Sequence, residues 1–273
     1  MLYSHEQTES IHQEEFAFLQ VAEDDHVLTI TLDRPQKKNA LHPVMVNELA
    51  FAVHYAQHHD DIWLVVLQAR GDVFCAGGDL KAFAGQTEEV ASTIPAPAGD
   101  ILLGEIFNKL HKPSIAKVEG SVYAGGFLLL AGCTYVLANN DVTFGLPETR
   151  RGLFPFQVMA SLMSVMPERK VLDWCIRGYN LQVERAHEWG LVTHVTIEEN
   201  MEADLQRLKD QILRNSPKAI RMGMEAYDHI RQRSTRREHE YLLSMLRKTL
   251  GTRDAQEGIA AFREKRTPNW TNQ

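Results

Sequence analysis

Residues 112–148 read KPSIAKVEGSVYAGGFLLLAGCTYVLANNDVTFGLPE. The order is strand, glycine turn, apolar helix, strand and then a lone carboxylate, Glu148. A helix that opens on Gly125-Gly126 presents backbone N–H groups without intrahelical partners, together with the positive end of a helix dipole. Such a terminus suits an oxygen that becomes negative during a reaction, and Glu148 then stands as the group that moves a proton. The glycines also have a plainer use, because they permit a tight strand-to-helix turn whatever the chemistry.

Upstream the pattern repeats. Ile62 to Gln68 (IWLVVLQ) is a short continuous apolar run, which predicts a strand covered on both faces and hence a parallel sheet. GDVFCAGGDLKAF then places Gly77-Gly78 between that strand and a helix starting near Asp79, a second turn of the same kind. Before it, Glu15–Val21 and His26–Leu32 alternate apolar and polar residues as a hairpin would, and Val44, Leu49, Ala52, Val53 and Ala56 recur at helical spacing behind Pro43. Residues 85–100, rich in small residues, Pro and acids, are expected as a mobile surface segment or lid. A helix over Ile101–Leu110 leads into a strand at Ser114–Val118. Beyond Glu148, Phe156–Met166, Glu168–Arg177 and Val183–Trp189 read as short helices, Leu191–Val195 as a strand, and long helices follow from Glu199 to about Arg266. The expected organisation is a frayed polar leader (1–14), an α/β core (15–198) and a C-terminal helical region (199–273).

The composition of the 273 residues, 44% hydrophobic and 24% charged, is that of a globular protein, and no apolar run approaches the roughly 18 residues that span a bilayer. A formal charge of −7 argues against nucleic-acid binding. The leader lacks the basic and apolar regions of a secretory signal. Cys75, Cys133 and Cys175 are odd in number and set among small or apolar residues, which fits reduced thiols and a cytoplasmic location. His54, His58, His59 and Asp60 include an i, i+4 histidine pair with metal-ligand spacing, but at the end of an amphipathic helix we take them as solvated, and no metal is expected. Arg231, Arg233, Arg236 and Arg237 read as a solvated or intersubunit helical face.

FCAGGDLKAF, KPSIAKVEGSVYAGG and TFGLPETRRGLFP, with the spacing between them, resemble the crotonase superfamily, the enoyl-CoA hydratase/isomerase family. The resemblance runs from RPQKKNAL at 34–41, through GLV at 190–192, to FREKRTPNW at 262–270. It implies a β-β-α spiral core, a C-terminal α-helical trimerisation region giving trimers or hexamers, and acyl-CoA thioesters as substrates, with coenzyme A part of the substrate and no separate cofactor. Carried over by motif, the oxyanion-hole amides fall on Gly78 and Gly125 and the catalytic carboxylate on Glu148. Ala76, Asp79 and Leu80 would lie along the CoA path, Lys38, Ala40 and Leu41 on its other side, and Lys265 would reach the CoA phosphates.

Hydratases of this family carry a second glutamate three residues after the first glycine of the second turn, where this chain has Leu128. Two carboxylates suit addition of water, whereas one suffices for a 1,3-proton shift. The resemblance at LPETRRGLFPF is to the Δ3,Δ2-enoyl-CoA isomerases; related hydroxyisobutyryl-CoA hydrolases place an acid where this chain has Phe156. The first expectation is therefore isomerisation of 3-enoyl-CoA. The alternatives are hydration with Glu88, Glu89 or Glu105 replacing the missing acid, and a CoA-thioester binder without turnover.

Overall fold

The computed structural model describes residues 2–83, 85–86, 90–231 and 235–268. The chain opens with α1 (His5–Glu9), whose Ser4 and Gln7 form a capping box. The expected hairpin follows as β1 (Leu19–Asp24) and β2 (Val27–Leu32), joined at Asp25 and His26, both in the left-handed region that a two-residue hairpin turn requires. Next come α2 (Pro43–His58), β3 (Leu64–Ala69), β4 (Val73–Cys75), α3 (Leu80–Phe83) and α4 (Leu103–Ile106). The stretch at 112–148 supplies β5 (Ser114–Val118), β6 (Ser121–Tyr123), α5 (Phe127–Leu130), β7 (Tyr135–Asn139) and β8 (Thr143–Gly145). Then follow α6 (Phe156–Met163), α7 (Glu168–Arg177), β9 (Asn180–Gln182), α8 (Val183–Glu188) and β10 (His194–Thr196). Four helices close the chain: α9 (Met201–Leu213), α10 (Pro217–Arg231), α11 (Thr235–Leu250) and α12 (Arg253–Glu264).

The strands form two sheets. The larger has the order β1-β2-β3-β5-β7-β10 and is parallel from β2 onward; the smaller has the order β4-β6-β8-β9, with β4, β6 and β8 parallel. Each of β3, β5 and β7 in the large sheet is followed, after a short corner, by β4, β6 or β8 in the small one, and then by helix. This is the β-β-α spiral. The small sheet was not legible in advance: strands of three residues are too short to show alternation, so β4 and β6 merge with the glycine turns behind them.

Alternation does govern the large sheet. In β3, Val65 and Leu67 enter the core that the small sheet and α2, α5, α6 and α7 share, while Leu64 and Val66 face the other way. That second face is covered by α9, whose Met201, Leu205, Leu208 and Ile212 recur at helical spacing against Val27, Ile115 and Leu137. Each such buried side chain contributes about 1.5–3 kcal/mol. Helix α9 is thus a layer of the core, although it lies within the expected C-terminal helical region.

Two expectations fail over the described residues. The N-terminal leader is not frayed: Tyr3, Thr8 and Ile11 are each at most 2% exposed, and the Tyr3 hydroxyl donates to Asn47 Oδ1 at 2.7 Å. Residues 90–100 lack regular structure but are tied down, with Thr93 bonded to Glu14 and Glu15, Ala98 N–H to the Leu2 carbonyl, and Asn47 to the Pro95 carbonyl. Buried apolar and aromatic contacts at Tyr3, Ile11 and Ile94 repay the ordering of both segments. The predicted Ile101–Leu110 helix is regular only over α4.

Candidate active site

The three parallel strands of the small sheet end side by side, and each runs into one predicted site element. Cys75 ends β4 before Gly77-Gly78, Tyr123 ends β6 before Ala124-Gly125, and Gly145 ends β8 before Leu146-Pro147-Glu148. Cys75 pairs with Val122, and Tyr123 with Gly145, so the register brings the three loops to one edge. Crevices at the carboxyl ends of parallel strands are where α/β sheets hold ligands.

The first turn is clamped from the side. Leu41 N–H donates to the Gly77 carbonyl at 2.8 Å and Asp79 N–H donates to the Leu41 carbonyl at 3.1 Å, a single parallel bridge between Leu41 and Gly78. Those bonds flank Gly78, so its own N–H points away from Leu41 and is not used in the bridge. Gly77 has φ +90°, and a Cβ there would come within 2.6 Å of Ala124 Cβ. Only glycine fits.

Behind the clamp lies a buried charge pair. Arg34, 2% exposed, donates from Nη1 to Asp79 Oδ2 at 2.7 Å and to the Ala40 carbonyl at 3.2 Å, and its guanidinium lies 4.8 Å from the Phe18 ring centroid. The other Asp79 oxygen accepts from the N–H groups of Lys81 and Ala82, capping α3. Burial pushes the Asp79 carboxyl up, but Arg34 and these amides outweigh it and hold the group below the usual range. Buried Asn39 completes the frame, bonding Arg34 N–H, the Arg70 carbonyl and the Val73 carbonyl.

The second turn begins at Ala124, whose φ of +51° places a non-glycine residue in the left-handed region. That strain, on the order of 1–3 kcal/mol, sits immediately before Gly125. Residues Ala124–Gly126 make a 3₁₀ turn that leads into α5, so Gly125 lies in the first turn, where N–H groups lack intrahelical partners. Phe127 anchors the helix, edge-on to Trp174 at 5.1 Å. Gly78 and Gly125 are both partly exposed and in contact, while Leu128 is 7% exposed.

Glu148 opens the short turn Thr149–Arg151, and its carbonyl accepts from the Arg151 and Leu153 N–H groups. Its side chain caps nothing, and Oε2 is buried without a hydrogen-bond partner among the described residues. Burial lifts the carboxyl to about 7, only partly opposed by its own backbone N–H and by the Arg151 charge. Leu146 and Phe127 are fully buried, Leu128 nearly so, and Phe156 is partly exposed. A half-ionised carboxyl near neutrality can both take and return a proton.

The other predicted residues divide. Lys38, Ala40, Leu41, Ala76, Asp79 and Leu80 all belong to the paired segments at 38–41 and 76–80, joined also by the bond from Ala76 N–H to the Lys38 carbonyl. Lys265 is exposed at the end of α12. Glu105 is ion-paired with Lys109 at 2.6 Å and lines a cavity of about 340 Å³ with Leu2, His54 and His58, between α2 and α4. Glu88, Glu89 and Arg233 lie outside the described residues, as do the side chains of Arg231, Arg236 and Arg237. Among the described residues no three His, Cys, Asp or Glu side chains gather as metal ligands, and no helix is long and apolar enough to cross a membrane. Sequence reasoning missed Arg34, Ala124 and Arg151; the one signal for Arg34 was its place at the head of RPQKKNAL.

A profile of the enoyl-CoA hydratase/isomerase family matches residues 22–273. Mevalonyl-coenzyme A hydratase of Aspergillus fumigatus is 28% identical over 249 residues, 90% of this chain and 91% of that protein. Carnitinyl-CoA dehydratase of Escherichia coli is 30% identical over 258 residues, covering 92% and 97%. The crystal structure of carnitinyl-CoA hydratase from Mycobacterium avium superposes with a TM-score of 0.83 at 27% identity, covering 94% of this chain and 99% of that one. With the β-β-α spiral and the converging glycine turns, these matches make the chain an enzyme of the enoyl-CoA hydratase/isomerase family, a member of the crotonase superfamily.

Proposed function

We propose that the chain shifts the double bond of a 3-enoyl-CoA thioester to the 2-position. The thioester oxygen accepts from the Gly78 and Gly125 N–H groups, and the Glu148 carboxylate removes a proton from C2. The electron pair left behind delocalises over the thioester and the double bond as an enolate held by the two amides. Glu148 then returns the same proton to C4, and the double bond comes to rest between C2 and C3. The CoA portion would follow Lys38, Ala40, Leu41, Ala76, Asp79 and Leu80, with Lys265 toward its phosphates. Assembly as trimers or hexamers through the C-terminal helices belongs to the same proposal.

The observation that carries isomerisation is Leu128, a buried apolar residue three positions beyond Gly125. Addition of water needs a group to hold and activate it at C3 while a second group exchanges the proton at C2. Leucine does neither, and Glu105 is held by Lys109. Hydration of a 2-enoyl-CoA is the second reading, favoured by the hydratase and dehydratase names of the relatives.

The deciding experiment compares conversion of a 3-enoyl-CoA with hydration of crotonyl-CoA, in the wild type and in Glu148→Gln. Isomerisation that depends on Glu148, without comparable hydration, supports the proposal; hydration at a similar rate overturns it. Binding of both thioesters with no turnover would make the chain a binder.

A further inference from the structure

Arg151 closes the turn that Glu148 opens, and among the described residues its guanidinium makes no hydrogen bond and no ion pair. Its contact is with a ring: the guanidinium carbon stands 4.3 Å from the centroid of Phe262 on α12. The backbone at this point is fixed, since a Cβ on Gly258 of the same helix would come within 2.1 Å of the Arg151 carbonyl oxygen. Helix α12 therefore lies directly on the Glu148 turn, with the arginine head against its Phe262 ring.

A half-buried cation without an acceptor is unusual, because desolvated guanidinium groups are normally paired. Burial here opposes the charge, and what favours it is the face of the Phe262 ring and the charge of Glu148, with which Arg151 forms no bond. Glu148 Oε2 is equally without a partner. Two opposite charges on one turn, with no hydrogen bond to the Arg151 head or to Glu148 Oε2 among the described residues and none between them, leave room for a further polar partner. An anion arriving with the substrate supplies it, since the planar guanidinium fork matches a carboxylate bidentately.

We propose that Arg151 is a specificity residue that receives a carboxylate carried by the acyl group, so that the site takes CoA thioesters of dicarboxylic acids. The proposal rests on the reading above in one respect, the placing of the acyl group between the glycine turns and Glu148. It does not depend on which reaction follows.

The test uses unreactive saturated probes, so that binding is read without turnover. Glutaryl-CoA and adipyl-CoA are compared with pentanoyl-CoA and hexanoyl-CoA by calorimetry, on the full chain. The wild type is expected to bind the carboxylated member of each pair about tenfold more tightly or better, the worth of one charge-assisted contact. In Arg151→Met that ratio collapses toward one. Arg151→Lys, which keeps the charge but loses the fork, retains part of it and serves if the methionine variant does not fold. A wild-type ratio near one, a ratio that survives in Arg151→Met, or no binding of any probe overturns the inference. An Arg151-dependent ratio in a protein that neither isomerises nor hydrates would leave it standing while the proposed reaction falls.

Discussion

Gly125 and Gly78 meet closely enough that a Cβ added to Gly125 would stand 3.4 Å from the Gly78 amide nitrogen and 3.2 Å from Leu41 Cδ1. Two turns 47 residues apart in sequence thus present their amides over one small area. A methyl group there would crowd the Gly78 amide and Leu41, the space in which the proposed function puts the thioester oxygen, with little strain on the backbone, because Gly125 is not at positive φ. Gly125→Ala keeps its N–H but bars the oxygen from it, so kcat is expected to fall by about 10²–10³, as when one preorganised donor goes unused, while Tm changes little. Gly77→Ala is the contrast: with φ of +90° and a contact of 2.6 Å to Ala124 Cβ, it should lose stability as well as activity. Parallel Tm and kcat measurements on the two variants check the distinction.

Glu148 titrates from an ordinary 4.5 up to about 7. The base form, and with it the rate, should rise with pH through about 7 and then level off. The stability consequence has the opposite direction: the folded state holds this proton more tightly than the unfolded chain, so its contribution to stability falls as pH rises from about 4.5 to about 7. At about 1.4 kcal/mol per pH unit, the charged carboxyl costs the native state on the order of 3 kcal/mol above that window as an upper bound. Glu148→Gln is therefore expected to abolish turnover and to be more stable than the wild type at pH 8, with the gap closing toward pH 4. Denaturant melts at the two pH values measure it.

The site was legible in the sequence where residue identity is itself the signal, and obscure where it depends on the approach of distant segments. The glycine pairs, the PE dipeptide and Leu128 are local, each readable from its own stretch of chain. The strands that deliver them, β4, β6 and β8, are three residues each and leave no periodic trace. Arg34 reaches Asp79 across 45 positions, and Arg151 meets Phe262 across 111, so neither contact can be read from spacing. The leader looked polar because Tyr3 and Ile11, the residues that anchor it, are few among charged neighbours.

The Arg34–Asp79 pair makes a prediction that separates framing from catalysis. Removing one partner leaves the other charge buried, which costs about 3–5 kcal/mol. Asp79→Asn and Arg34→Met should each destabilise by that order, whereas the double variant should lose less than the sum of the two. A double-mutant cycle by chemical denaturation gives the coupling directly. Because the pair orients the strand that clamps Gly78, the single variants should also lose kcat more than they raise KM for the thioester. A raised KM with kcat unchanged would assign the pair to CoA binding instead.

The N-terminal segment should respond to acid before the rest of the fold. His54 and His58 stand with ring centroids 4.5 Å apart, and His5 of α1 lies 6.1 Å from His58. Glu105, Asp100 and Lys109 face His54 and His58 across the cavity toward α4, Arg221 and Lys112 approach His58, and Glu9 is within ion-pair reach of His5. Burial first, and the neighbouring imidazole second, push His54 down to about 4, and His58 is lowered as well. A folded-state value below the ordinary 6.5 means that the contribution is complete above 6.5 and is lost as pH falls toward 4. Opening α1 and Tyr3 away from α2 rehydrates both rings without disturbing either sheet. Hydrogen-exchange protection of residues 5–11 is therefore expected to drop between pH 6.5 and 4 while that of β3 and β5 holds, and His54→Gln should flatten the drop. Protection falling in β3 at the same pH would show instead that acid acts on the fold as a whole.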